Sequence, residues 1–252
     1  MELIPWQNGI MSEIRSLHEV NGNVMNMKQE KSQVLESMII ILVIATWLIG
    51  VMAYAYAPDI VPIHWNLEGK PDNYANKDIG LFLLPLINTG LYLFLLFIPK
   101  IDPNNEQLRQ SLKALQWIRL GTHGLLGIIM IWTTLSTIEA SLLKPEWMFS
   151  IISLFFAFLG RAMTNVKQNY FVGIRTPWTL SNEVVWDDTH RFTSPLWFYS
   201  GIGMAIVSAF LSFMGFGAEI TLSVFLIWIT IIVIIPIAYS FKRFREEKKS
   251  IQ

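Results

Sequence analysis

Six apolar runs divide this chain, each long enough, or nearly so, to cross a lipid bilayer: residues 38–57 (MIIILVIATWLIGVMAYAYA), 79–98, 118–138, 147–163, 196–214 and 220–241. A helix needs roughly 20 predominantly apolar residues to span about 30 Å of hydrocarbon. Inside lipid only helices and closed barrels satisfy their own backbone polar groups. The run at 147–163 is the shortest and ends at Gly160-Arg161. The first run follows a largely polar stretch and precedes no small-residue cleavage site, so it reads as a span and not as a signal peptide. Charged residues make up 15% of the chain, against about 25% in soluble domains. The expected fold is all-α: a polytopic membrane protein with six transmembrane helices, an ordered outer loop and a cytoplasmic amphipathic cap.

With six spans both termini share one side with the loops after spans two and four. That side holds all of the 19 Lys and Arg residues except Lys70, Lys77 and Lys144. Positive charge marks the cytoplasmic side, so both termini are expected there, in a multi-pass protein of a bacterial cell membrane. The formal net charge is zero, which argues against direct nucleic-acid binding. Cysteine is absent, excluding disulfides and thiolate chemistry. The sequence contains no H-E-x-x-H, G-x-S-x-G or P-loop pattern, so no catalytic residues, enzyme activity or cofactor are expected. The four His, at 18, 64, 123 and 190, are widely spread. A metal site on His64 and Asp72 is conceivable but has few ligands within reach, and no metal is expected.

The chain divides into an N-terminal extension (1–37), an N-terminal membrane domain (38–141) with an outer loop at 58–78, and a C-terminal membrane domain (142–252) with a cytoplasmic loop at 164–195 and a basic tail. In the extension, Ile10, Ile14 and Leu17 share one helical face. It reads either as a membrane-surface arm or as a tolerant extension, with Met25 and Met27 offering later starts. In the outer loop, Val61, Ile63 and Trp65 alternate with Pro62, His64 and Asn66, the period of an extended segment with one covered face. Glu68-Gly69-Lys70-Pro71-Asp72 carries turn chemistry, and Asn76 or Asp78 is placed to cap span two. The loop is either a ligand site or a tight interfacial connection. Asn88 lies mid-span and is expected to make an interhelical hydrogen bond. Gly201, Ala205 and Ala209, with Ser208 and Ser212, form a small-residue packing ridge. The basic C-terminus suits anionic headgroups.

The inner face carries a second ordered phrase, QNYFVGIRTPWTLSNEVVWDDTHRF (168–192). Residues 169–178 read as extended, turning at Thr176-Pro177. Thr179 or Ser181 is expected to cap a short helix with Glu183 in its first turn. On that helix Asp187 and Arg191 form an i,i+4 pair, and Trp186 stacks below His190. Trp178, Trp186 and Trp197 suit the headgroup level. Arg119 and His123 share a face at the start of span three, at the depth of Arg161. This basic cluster is expected to meet Glu183, Asp187 and Asp188. The phrase is either a fixed plug for the helix ends or a lever reporting the state of the bundle.

At these two loops the sequence resembles the SdpI-type family of bacterial membrane immunity proteins, over about residues 38–241. VPIHWNLEGKPDNYANKD (61–78) is similar to the phrase marking that family's uncharacterised N-terminal domain, and NYFVGIRTPWTLSNEVVWDDTHR (169–191) is similar to the signature of its C-terminal half. The resemblance implies protection of the host cell from a secreted antimicrobial peptide or protein toxin on the outer face. It also implies, for some members, a receptor that holds a cytoplasmic transcriptional repressor at the membrane. Matching signature positions are His64, Trp65, Asn66, Gly69, Pro71 and Asp72 outside. Inside they are Asn169, Gly173, Arg175, Thr176, Pro177, Trp178, Thr179, Trp186 and His190. The alternatives are a secondary transporter or exporter with a polar route near Asn88 and His123, and a non-catalytic membrane scaffold.

Overall fold

The computed structural model describes residues 30, 32–66, 68, 70–103, 105–138 and 144–250. Ile10, Ile14, Leu17, Gly69 and Glu139 lie outside the described residues. The chain runs through α1 (Ser32–Tyr54), β1 (Ile60–Trp65), β2 (Pro71–Asn76), α2 (Lys77–Ile101), α3 (Asn105–Gln110), α4 (Leu112–Ile138), α5 (Trp147–Met163), α6 (Pro177–Ser181), α7 (Glu183–Phe213) and α8 (Ala218–Ser250). Helices α1, α2, α4, α7 and α8 are long and apolar enough to cross a membrane. Helix α5, with 17 residues, covers only about 25 Å at 1.5 Å per residue. The protein is therefore an all-α, multi-pass membrane protein with five clear spans and a sixth, shorter apolar helix.

Most helix boundaries differ from the apolar runs, two of them with consequences for the site, for one reason: apolarity marks entry into lipid, not the end of the helix. Helix α1 begins at Ser32, inside the stretch assigned to the extension. Helix α7 begins at Glu183 and runs unbroken through Pro195 to Phe213. The second half of the expected 164–195 loop is thus a polar prolongation of the membrane helix. Its cap is Asn182, whose side chain accepts from the Val185 N–H (3.0 Å). Helix α6 is capped by Thr176 in a reciprocal box with Thr179, with Pro177 opening the helix. That geometry satisfies two N-terminal donors at once. Thr179 and Ser181 are therefore not the caps.

Lipid is as apolar as the helices themselves, so helix association there rests on close packing and polar contacts. Helices α5 and α7 approach to backbone contact. A Cβ on Gly201 would lie 2.7 Å from the Ser153 carbonyl oxygen, and one on Gly160 would lie 2.8 Å from that of Ser194. Gly201, Ala205, Ser208 and Ser212 are buried along this seam opposite Ser153, Ala157 and Gly160. Ala209, the third member of the expected ridge, is exposed. Trp147 closes one end of the seam by donating to Ser212 (3.0 Å), and Thr164 and Ser194 hydroxyls pair at the other (2.6 Å).

Gly201→Leu and Gly160→Leu should each push α5 and α7 apart and cost about 1–3 kcal/mol. Gly203→Leu, on a face with nothing within 4 Å, should be tolerated. Thermal unfolding of the purified variants in detergent checks the contrast.

Candidate functional site

The two ends of the bundle carry the ordered non-membrane structure. At one end, β1 and β2 form an antiparallel hairpin. The β2 segment, PDNYAN, has little strand propensity, and pairing with β1 compensates. The register shifts on either side of His64, so Ile63 and Asp72 are extra residues on their strands. Such bulges re-aim side chains. Here they bring His64 Nδ1 to 2.6 Å from Asp72 Oδ1, with both side chains well exposed. Trp65 turns the other way and meets Trp132 of α4 edge-on, centroids 4.8 Å apart. Val61 is buried with Ala53, Ala57 and Leu81. Asn66 Oδ1 accepts from the N–H groups of Glu68 and Lys70, both at 3.0 Å, closing the turn before Pro71. Lys70 bonds Glu68 at 2.9 Å and holds that carboxyl below its usual value. Asn76 occupies the cap position of α2 without a side-chain cap bond, and Asp78 accepts from the Tyr54 hydroxyl (2.9 Å).

At the opposite end, residues 164–176 contain no strand, against the extended reading. They are folded by side chains. Asn169 Oδ1 accepts from Phe171 (2.8 Å) and Val172 (2.7 Å), while its amide donates to the Lys167 and Val172 carbonyls. The buried Gln168 amide donates to the Thr179 carbonyl (2.7 Å). Arg175 donates to the Tyr170 carbonyl. Trp186 is fully buried; its indole donates to the Val166 carbonyl (2.8 Å), and its ring stacks on His190 at 4.2 Å. His190 uses both nitrogens on backbone: Nδ1–H donates to the Trp186 carbonyl (2.8 Å) and Nε2 accepts from the Ile174 N–H (3.0 Å). That pairing requires the neutral ring. Gly173 closes the lock. Its φ is +123°, and a Cβ there would lie 2.5 Å from His190 Nε2 and 2.9 Å from the Trp186 ring.

This loop is tied to both halves of the bundle. Asp102 accepts from the Tyr170 N–H (2.9 Å) and Ser111 from that of Lys167 (2.7 Å). On the other side Thr176 meets Ser240 (3.2 Å), Trp178 packs on Phe241 (4.9 Å) and Asp188 pairs with Arg243 (2.6 Å). Glu183 bonds Gln107.

The expected basic cluster does not form. Arg119 makes a bidentate pair with Glu36 of α1 (2.8 and 2.9 Å), and Asp187 pairs with Lys167 instead of Arg191 (2.8 Å). Arg161 is exposed and away from the loop acids. The early start of α1 places Glu36 where the loop acids were expected. Tyr92 donates to the same Glu36 carboxylate (2.9 Å), and its ring lies 5.3 Å from the Arg119 guanidinium. One turn deeper, His123 Nδ1–H donates to Asn88 Oδ1 (2.6 Å), and the Asn88 amide reaches Thr46 (3.4 Å). The interhelical hydrogen bond expected of Asn88 is thus made, to His123 of α4 and to Thr46 of α1. His123 Nε2 is buried with no hydrogen-bond partner among the described residues. Glu36, Tyr92 and Asp102 escape sequence reasoning, although an acid just before an apolar run is the signal that would find Glu36. Among the described residues no group of three or more His, Cys, Asp or Glu is placed to hold a metal ion.

The architecture defines a multi-pass membrane protein with an ordered element at each end of one helical bundle. Residues 165–240 match the SdpI/YfhL protein family, and residues 41–89 match a Domain of unknown function (DUF1648). The immunity protein SdpI of Bacillus subtilis (strain 168) is 31% identical over 176 residues, covering 68% of this chain and 80% of that protein. The chain belongs to the SdpI/YfhL family. No solved structure matches it.

Gly173→Ala should unseat His190 and Trp186 together, and Trp186→Ala should cost about 3–5 kcal/mol. Limited proteolysis within 164–182 is the check, with faster cleavage expected in both. For the buried pair, Glu36→Gln and Arg119→Gln should each destabilise by about 3 kcal/mol or more by stranding a charge. The double variant should recover part of that loss in a thermal-unfolding mutant cycle.

Proposed function

We propose that this protein is a membrane immunity protein that neutralises a secreted antimicrobial peptide or protein toxin at its hairpin end. The observation that carries the reading is the exposed His64–Asp72 pair on the β1–β2 hairpin, 2.6 Å apart. Beside it, a cavity of about 220 Å³ is lined by Pro62, Ile63, Trp65, Leu83 and Ile87. An apolar side chain of a peptide suits the cavity, and a polar group at its rim suits the pair, the usual division of labour in a recognition site. The positive-inside asymmetry supports an orientation with this end outside the cell and the 164–182 loop in the cytoplasm. Family membership with an immunity protein supports the same reading.

In the same reading the inner cap is the surface that a cytoplasmic repressor meets. Asn169, Gly173, Thr176, Thr179, Trp186 and His190 hold its shape, while Arg175, Trp178, Glu183 and Asp187 lie toward its outside. Its bonds to both halves of the bundle suit a lever better than a plug, because relative motion of the halves must reorient it.

A transport reading has one observation in its favour, the buried line from Glu36 and Arg119 through His123 and Asn88 to Thr46. Its polar groups are largely satisfied by one another, and buried polar groups so paired are usually structural. Proton-gradient-dependent flux in reconstituted vesicles, abolished by His123→Ala, would displace the immunity reading.

The decisive experiment is survival of a toxin-sensitive strain expressing wild type, His64→Ala, Asp72→Asn or Trp186→Ala at matched membrane abundance. Loss of a charge-assisted contact worth about 1.5–3 kcal/mol predicts on the order of tenfold or greater loss of protection for the hairpin variants. Trp186→Ala should retain protection and lose any transcriptional response. No survival advantage from wild type against any secreted peptide or protein toxin would sink the proposal.

A further inference from the structure

A groove of about 680 Å³ opens at the loop end of the bundle, between the first turns of α4 and the last turn of α5. Lys113 and Arg161 line it, with Gln110 and Asn165 beside them and the rings of Trp117 and Phe158 below. Both cations are exposed and neither forms an ion pair among the described residues. Their neighbours differ in this respect, since Arg119 is taken by Glu36, Lys167 by Asp187 and Arg243 by Asp188. No carboxylate lines the groove among the described residues. Two uncompensated positive charges thus share one concave surface.

The groove also has an apolar continuation. Gly121 admits the Phe158 ring against α4; a Cβ there would lie 2.2 Å from it. Phe158 then lies 6.5 Å from Trp117, and both rings run from the cationic rim toward the hydrocarbon. Lys113 and Arg161 sit at the ends of membrane helices, the depth at which phosphates of lipid headgroups lie. Basic pockets between membrane helices are suited to anionic headgroups. A soluble anion would use the cations but leave the aromatic floor unused.

We propose that this groove binds one anionic phospholipid, its phosphate held between Lys113 and Arg161 and its acyl chain laid along Trp117 and Phe158. The bound lipid is structural, joining α4 to α5 where the two halves of the bundle meet. It is separate from the hairpin and meets the 164–182 cap only at Asn165.

Native mass spectrometry of the full chain, released from vesicles of phosphatidylglycerol with phosphatidylcholine, tests it. Wild type should retain phosphatidylglycerol in preference to phosphatidylcholine. Lys113→Gln/Arg161→Gln should reduce retention on the order of tenfold or more, each cation near the surface contributing comparably. Lys70→Gln/Lys144→Gln, which removes the same charge from exposed positions at the hairpin end, should leave retention unchanged. Equal loss in both double variants, or in neither, overturns the proposal in favour of diffuse surface electrostatics. Displacement of the lipid by millimolar inorganic phosphate assigns the groove to a free anion and overturns it too, as does retention of an acidic polypeptide in place of lipid. If the Gln variant does not fold, Lys113→Arg/Arg161→Lys, which keeps both charges, must retain the lipid. The thermal stability of wild type must also be higher in phosphatidylglycerol than in phosphatidylcholine, and a difference of zero rejects the site.

Discussion

Every backbone polar group near the hydrocarbon must find a partner within the protein, and this constraint shapes the structure most where the chain is not helical. Residues 164–176 form no strand and no helix, yet they sit against the ends of α2, α4, α5 and α8. Side chains supply what secondary structure does not. Asn169 satisfies four backbone groups, Gln168 reaches two carbonyls, and Trp186 and His190 take the Val166 carbonyl and the Ile174 N–H. An irregular segment packed against helix ends buries backbone groups that would be costly if left unpaired, and these side chains supply the partners. The same need accounts for residue types that look too polar for a membrane protein, because each removes a cost of burial.

The bundle uses two different adhesives. Around α1, α2 and α4 the contacts are polar: Glu36 with Arg119 and Tyr92, His123 with Asn88, Thr89 with Trp47 (2.9 Å), and Gln116 with Ser32 (2.7 Å). Around α5 and α7 they are small: glycine, alanine and serine at the backbone seam. Polar pairs hold their geometry by direction, whereas a small-residue seam holds by proximity. The first half is therefore fixed by specific pairs, and the second by shape, with the Trp147–Ser212 and Thr164–Ser194 bonds pinning the two ends of the seam.

Much of this was legible in the sequence. The apolar runs, the two ordered phrases, the Trp186–His190 stack and the covered Val61 follow from periodicity and residue chemistry. Ile63, expected on the same covered face, is exposed where the bulge re-aims it. The pairing of charges was not legible. Helix α1 begins earlier than its apolar run and carries Glu36 to Arg119, while α7 begins earlier than its own and turns Asp187 and Asp188 toward Lys167 and Arg243. Hydropathy reports the solvent around a helix and is silent on where its hydrogen bonds stop, so every pairing inferred from a boundary inherited that boundary's error. The strand β2 was hidden for a related reason. Pro71 and Asp72 read as turn residues, and only pairing with β1 makes them extended. Gly173 stood out as a signature position, but its reason, a positive φ against the Trp186 and His190 rings, is visible only in three dimensions.

The choice between plug and lever turns on what the inner cap is attached to. A plug needs only to cover helix ends and is served by bonds to whichever helices it covers. This cap bonds Asp102 and Ser111 in the first half, and Ser240 and Arg243 on α8. Gly173, His190 and Trp186 make its middle stiff. A stiff element fixed at two places transmits a change in their separation into its own orientation, whereas a soft one absorbs it. Trp178 and Arg175 stand on the part of the cap that such a change would swing. Under the proposed lever role, the locked geometry that satisfies the backbone is also what would carry a displacement from the membrane bundle to the exposed face of the cap.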